Sequence, residues 1–194
     1  MKPLKNCPSC WRPIRFEEKY ARILACWYCN SILEFWKWEL SKIWEQAEFI
    51  EFPSQFIVGK YTEWKNKKVY IKGQLRYEYD WGFFDDFFVE IDWKTYYLEE
   101  DDWNQKLIKN WEWQENNINL IDKPVWEKVK INGADIFVQE TWIFNLVWMK
   151  GFVNTTLIPW KSYEYLDWIY NWKMIYLEKI VGENKIRVNK EVEI

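Results

Sequence analysis

The sequence contains no histidine and only six glycines. The first absence removes the commonest general base, the serine–histidine and cysteine–histidine nucleophile pairs, and every metal site built on imidazole. The second leaves no phosphate-cradling loop and no dinucleotide fingerprint, because none of the glycines fall at the required spacing. Long apolar runs are missing as well. The charge-free stretch from Thr141 to Met149 is about half of the roughly 20 residues a membrane-crossing helix needs. The first thirty residues mix Lys, Arg, Glu and Cys without a long apolar segment, so a soluble, cytoplasmic protein is the expectation. Charge of one sign is also scarce. A net charge of −3 over 194 residues is too mild to advertise nucleic acid or a membrane surface as a partner.

Cysteine is used sparingly and in one place. Cys7-Pro8-Ser9-Cys10 and Cys26-Trp27-Tyr28-Cys29 form two C-x-x-C turns separated by fifteen residues, a spacing expected of a four-cysteine zinc site. Zinc takes four soft ligands at the corners of a tetrahedron. Each turn points two sulfurs at one centre, and two turns at the ends of a short hairpin complete the shell. Arg15 to Tyr20 and Ala21 to Ala25 are the expected hairpin arms. Two disulfides would need an oxidising compartment, and a thioredoxin-like C-x-x-C would stand alone before a helix. A structural Zn2+ on Cys7, Cys10, Cys26 and Cys29 is therefore expected, with no coordination position left for a catalytic water. Around it, Lys2, Lys5, Arg12, Arg15, Lys19 and Arg22 outnumber Glu17 and Glu18. This excess is compatible with a phosphate contact, although a solvated basic face is the blander reading.

The rest of the chain reads as mainly β. The expected architecture is an N-terminal zinc ribbon over residues 1–35, closed by Ile32, Leu33 and Phe35, and a connector over 36–53. An antiparallel β-barrel or sandwich-like domain then covers 54–194, in two halves, 54–115 and 125–194. Phe56 to Val58 is a short expected strand. Lys68 to Tyr79 alternates Val69, Ile71, Gly73, Leu75, Tyr77 and Tyr79 against polar neighbours, a period of two. Phe83 to Ile91 and Thr95 to Leu98 form a hairpin around Asp92-Trp93-Lys94. Six further strands are expected at Glu127–Ile131, Asp135–Glu140, Ile143–Val147, Tyr163–Tyr170, Met174–Val181 and Lys185–Val192, the last two joined by Gly182-Glu183-Asn184. Trp38 to Phe49 is the one helical candidate.

Seventeen tryptophans stand beside the six glycines, where glycine ordinarily makes up about 7% of a chain. Trp93 and Trp172 occupy the second place of Asp-Trp and Asn-Trp pairs between strands, where Asp-Gly and Asn-Gly are the strongest hairpin signals. Trp103 sits in an Asp-Asp-Trp-Asn turn cluster, and Trp11 follows the second cysteine of the first knuckle, where glycine accepts a positive φ. Trp36, Trp38, Trp64, Trp81, Trp160 and Trp168 also keep polar, loop-like company. An aromatic platform for carbohydrate or polyproline would cluster on one face, and these residues are scattered. The reading adopted is that the codon UGA, which some bacterial lineages decode as glycine, has been written as tryptophan. UGG at every one of these positions would exclude it.

Several segments resemble the bacterial domain-of-unknown-function family 4178. They are Phe56-Ile57-Val58-Gly59, Gly73-Gln74-Leu75-Arg76-Tyr77-Glu78-Tyr79, Phe84-Asp85-Asp86-Phe87-Phe88-Val89-Glu90-Ile91-Asp92 and Tyr96-Tyr97-Leu98-Glu99-Glu100-Asp101. Ile136-Phe137-Val138-Gln139-Glu140 and Tyr163-Glu164-Tyr165-Leu166-Asp167 add to the likeness. The family's pattern has glycine where this chain has Trp11, Asn30 and Trp93. The resemblance implies a zinc ribbon followed by a β-domain, and no catalytic residue.

Three functions compete. A non-catalytic adaptor with a protein partner agrees best with the missing histidine, nucleotide loop and open metal position. Nucleic-acid binding through the basic ribbon is the alternative. A carboxylate enzyme comes last, built on Asp85-Asp86 or on Glu99-Glu100-Asp101-Asp102. Adjacent Asp85 and Asp86 should point to opposite faces of a strand. The four-acid run reads as a solvated loop. The sequence names no small-molecule ligand.

Overall fold

The computed structural model describes residues 4–15, 23–36, 39–45, 54–80, 82–101, 104–115, 119–131, 134–154, 161–170 and 173–193. Trp38, Trp81, Asp102, Trp103, Trp160 and Trp172 lie outside them, as do residues 16–22 of the expected hairpin arms and residues 46–53. The described residues form strands and no helix. Five strands belong to the N-terminal part: β1 (Leu4–Asn6), β2 (Pro13–Arg15), β3 (Ile23–Ala25), β4 (Ser31–Trp36) and β5 (Glu39–Glu45). Then follow β6 (Tyr61–Trp64), β7 (Lys67–Tyr79), β8 (Gly82–Ile91), β9 (Lys94–Asp101), β10 (Asn104–Glu115) and β11 (Lys128–Ile131). The chain ends with β12 (Ala134–Val153), β13 (Ser162–Tyr170), β14 (Lys173–Ile180) and β15 (Lys185–Glu191). Among the described residues, no helix is long and apolar enough to cross a membrane.

Eight antiparallel strands close into a barrel in the order β12-β13-β14-β15-β10-β9-β8-β7 and back to β12. Closure removes the open sheet edges that would otherwise invite pairing with another chain. The seam between β7 and β12 pairs Leu75 with Met149, Gln74 with Lys150 and Gly73 with Gly151. Both glycines are required there. A Cβ at Gly73 would lie 2.2 Å from the Phe152 carbonyl oxygen, and one at Gly151 would lie 2.5 Å from that of Lys72. The backbones approach too closely for any side chain.

The two-residue alternation of β7 is present, but it does not mark one face. A bulge between Ile71 and Gly73 inserts one residue and turns the strand over. Val69 and Ile71 therefore pack outside the barrel with Phe87, Val89, Ile91, Leu98 and Leu107, under Phe56 and Trp64. Leu75 and Tyr77 turn inward onto Phe88, Tyr97, Phe144, Leu146 and Tyr163. A second outer layer packs Leu120 onto Ile136, Val138, Leu166, Leu177 and Ile186.

Several expectations are corrected. Phe56 to Val58 is not a strand; Phe56 is a buried plug in a turn. The helical candidate contains β5, which pairs with β4 through Phe35–Leu40 and Glu34–Ser41. A partner strand outweighs weak helical propensity. Asp135–Glu140 and Ile143–Val147 are parts of the single strand β12, whose polar Gln139-Glu140 break is a register shift against β13 and not a turn. Trp64 is buried, and its indole N–H donates to Gln105 Oε1 at 2.8 Å. That residue belongs in the core, and its polar sequence neighbours concealed it.

Among the described residues, three tryptophans have a positive φ: Trp11 (61°), Trp93 (65°) and Trp126 (67°). All are exposed, by 75%, 92% and 67%, so their indoles recover little burial for the strained backbone. Asp92 and Trp93 form the two-residue loop between Ile91 and Lys94, both with positive φ, the type I′ geometry that asks for Asp-Gly. Lys65-Asn66 makes the same turn between Trp64 and Lys67. Trp126 donates its N–H to Val138 O, while Val138 N–H donates to Glu127 O. That position was not among those singled out from the sequence.

Candidate metal centre

Each C-x-x-C turn folds the chain back on itself, so the strands flanking one knuckle pair with each other. β1 pairs with β2 around the first knuckle, and β3 with β4 around the second. The expected pairing of arms between the knuckles falls on residues 16–22, outside the described residues. The two turns are near copies. In the first, Trp11 N–H donates to Cys7 O and Cys7 N–H to Arg12 O, both at 2.9 Å. In the second, Asn30 N–H donates to Cys26 O at 3.0 Å and Cys26 N–H to Ser31 O at 2.9 Å. Trp11 and Asn30 hold equivalent left-handed positions, with φ of 61° and 54°. Asparagine tolerates that conformation, whereas tryptophan gains nothing in return.

The turns bring all four sulfurs together. Cys7, Cys10, Cys26 and Cys29 place their Sγ atoms within 4.8 Å of one another. Cys7–Cys29 and Cys10–Cys26 are 3.8 Å apart, and none of the four is in a disulfide. A tetrahedron with metal–sulfur bonds of about 2.3 Å has sulfur–sulfur edges of about 3.8 Å. The donor set thus fits a tetrahedral, thiolate-binding ion. All four cysteines expected to be ligands are in the cluster.

The surroundings prepare the thiols unequally. Burial pushes the Cys26 thiol up to about 12. At Cys29 burial acts in the same direction, but hydrogen bonding with Ser31 and contacts with Cys10 and Cys26 bring it down to about 7. Cys29 Sγ lies 3.3 Å from Ser31 Oγ, whose hydroxyl also lies 3.0 Å from Ser9 Oγ. A metal must displace these protons, so its affinity rises with pH.

A small core backs the cluster: Cys7, Ile14, Leu24, Cys26 and Leu33, with Phe152 added from β12. Leu33 and Phe35 close it, while Ile32 faces the barrel interior. Strand β3 also pairs with β12 through Leu24–Phe152 and Ile23–Val153. The cysteine module is therefore joined to the barrel by both main chain and side chains. Around its tip Leu4, Trp11, Trp27 and Tyr28 are exposed, and the Arg12 guanidinium lies 5.2 Å from the centre of the Tyr28 ring.

The carboxylates singled out from the sequence are separated by the pleat, as expected. Asp85 faces outward, is buried and takes a two-pronged ion pair from Arg76, with Nε to Oδ1 at 2.7 Å. Asp86 faces inward opposite Glu99. Glu100 accepts from Ser54 and Gln105 on the outside, and Glu99 lies 3.5 Å from Lys106. The four-acid run is thus no solvated loop, since Glu99 to Asp101 end strand β9.

Barrel closure assembles a polar layer that the sequence did not reveal. Asp86, Glu99, Lys106, Asp167, Glu178 and Arg187 come from six strands, with Tyr77, Tyr97, Tyr165 and Tyr176 around them. Burial, then Glu99 and Glu178, hold Asp86 well above the usual carboxylate range against the pull of Arg187 and the Tyr77 hydroxyl. Burial moves Glu99 to about 7 and Asp167 to about 6. A raised pKa in the folded state makes this stabilisation complete below about pH 4 and removes it as pH climbs through the folded values. Unfolding stability should therefore fall by about 2 kcal/mol between pH 5 and pH 8. Urea titrations across that range check this, and Glu99→Gln should flatten the dependence.

No protein-family model matches the chain, and no curated protein or solved structure matches it either.

Proposed function

We propose that the four cysteines hold a structural Zn2+ and that the chain is a non-catalytic adaptor. In this reading it is a cytoplasmic zinc-ribbon protein that presents the surface around its metal to a protein partner. The observation that carries the reading is the complete set of four cysteine sulfurs within 4.8 Å, which leaves the ion no open position for substrate or water. Unbonded cysteines agree with a reducing compartment. The module's attachment through β3 and Phe152 gives a partner a defined surface and not a swinging appendage. The resemblance to family 4178 belongs to the same proposal and adds no site.

The test is affinity capture from a native extract, followed by reconstitution of the captured protein with the purified chain. A partner that binds saturably and is released on chelation or by Cys10→Ser supports the reading. Binding indifferent to both overturns it. Arg12 stacked on Tyr28 beside exposed Trp11 and Trp27 favours a second reading, single-stranded nucleic acid at the module's tip. That reading requires affinity falling steeply with salt, and no binding at low salt excludes it.

A further inference from the structure

Every side chain of β3 is buried, as are Ser31, Ile32 and Leu33 of β4. Alternation along a strand sends neighbours to opposite faces, and here each face has its own core. Leu24 and Leu33, which are register partners, pack with the cysteines, Ile14 and Phe152. Ile23, Ala25 and Ile32 pack instead with Leu75, Phe88, Tyr97, Met149 and Val153 of the barrel interior. Trp44, the partner of Ile32 on β5, leans on the same cluster. Strand β12 sets where they enter. Its pairing with β7 ends at Gly151–Gly73, and the next two residues, Phe152 and Val153, pair with Leu24 and Ile23. The hairpin of β3 and β4 thus lies across the end of the barrel at which β12 outruns the seam. There the Tyr97 hydroxyl, from β9, donates to Asn154 O at 2.7 Å and ties down the chain just past β12.

We propose that the cysteine module is a metal-controlled lid on this end of the barrel, an inference that rests on the zinc reading of the four cysteines. The coupling is short. Ala25 and Ile32 are register partners, and Cys26 N–H donates to Ser31 O at 2.9 Å to close the knuckle between them. The last lid residue on β3 therefore adjoins Cys26, and the first on β4 follows Cys29 by three positions. Little else holds the lid down. Among the described residues, β3 meets the barrel backbone in two register pairs, and its barrel face carries small and medium side chains. A two-stranded hairpin is marginal in water by itself. Without metal the cysteine side loses its centre, β3 and β4 lose their order, and Leu75, Met149 and Val153 are bared. The eight-strand ring stays closed by β7 and β12. Metal occupancy is thereby converted into the presence or absence of an apolar surface. The coupling is reciprocal, since whatever seats the lid must also tighten the metal.

The test measures zinc content first, then hydrogen exchange of the full chain with and without chelator, read by mass spectrometry. Chelation should release the amides of residues 23–34 and 152–153 and leave those of β13 and β14 protected. Binding of an apolar fluorescent dye should rise several-fold in parallel. Ile32→Ala alters the barrel side alone and no ligand, yet it should weaken zinc about tenfold or more in chelator competition. If that variant does not fold, Val153→Ala probes the same contact from the barrel. Ile43→Ala, exposed on β5, should change neither zinc affinity nor exchange. A chain that takes up no zinc overturns the zinc reading and the lid with it. Three results overturn the lid alone in a chain that does bind zinc: residues 23–34 still protected after its removal, protection lost in β13 and β14 together with β3, or parental zinc affinity in Ile32→Ala and Val153→Ala.

Discussion

Cys26→Ser is expected to release the metal and to destabilise the N-terminal module by on the order of 5 kcal/mol or more. The module has little else to hold it. Under the cluster the buried apolar side chains are Ile14, Leu24 and Leu33 beside the cysteines themselves, completed by Phe152 from the barrel, while Ile23, Ala25 and Ile32 pack into the barrel cluster instead. Such a core cannot offset chain entropy unaided, so metal binding and folding of this part should be one event. The barrel closes through β12 and β7 without help from β3 and should survive. Calorimetry should therefore show a low-temperature transition in Cys26→Ser and in chelated wild type, followed by a barrel transition near its original temperature. A melt indistinguishable from the untreated wild type would show that the module does not depend on the cluster.

The second large effect runs in the opposite direction. Replacing Trp11, Trp93 and Trp126 together by glycine should raise stability by about 3 kcal/mol or more, at about 1–2 kcal/mol for each left-handed residue relieved of its Cβ. The sites share no strand pairing, so their effects should add. Trp64→Gly is the control. It removes a buried indole and its hydrogen bond to Gln105 and should cost about 3–5 kcal/mol. Denaturant midpoints of the two variants and the parent check this. A triple variant less stable than the parent would mean that these indoles make contacts worth more than the backbone strain. A gain instead agrees with glycine as the residue the fold was built around, which peptide sequencing of the protein from its native host would read directly.

The metal cluster was the most legible feature, because two C-x-x-C turns are local and their spacing fixes a geometry. The type I′ loop at Asp92-Trp93 was legible from its position between strands despite the unsuitable residue. Less local features escaped. Nothing around Ile71 signals the bulge that sends Val69 outward and Leu75 inward. Strand β10 alternates Leu107 with charged and aromatic neighbours too irregularly to register as a strand. Trp38–Phe49 looked helical because β5 becomes a strand only with β4 beside it. The interior acids are spread from Asp86 to Glu178 along the sequence, and only barrel closure brings them to one layer. The opposed faces of Asp85 and Asp86 followed from the pleat alone. Their contrasting fates, an ion pair with Arg76 outside and an unpartnered Oδ1 inside, did not.

X-ray absorption spectroscopy at the zinc edge, on protein purified without added metal, tests the central claim most directly. The account predicts one zinc per chain surrounded by four sulfurs at about 2.3 Å, with the signal lost in Cys26→Ser. Nitrogen or oxygen ligands, fewer than four sulfurs, or a metal-free chain with its cysteines in disulfides would contradict it.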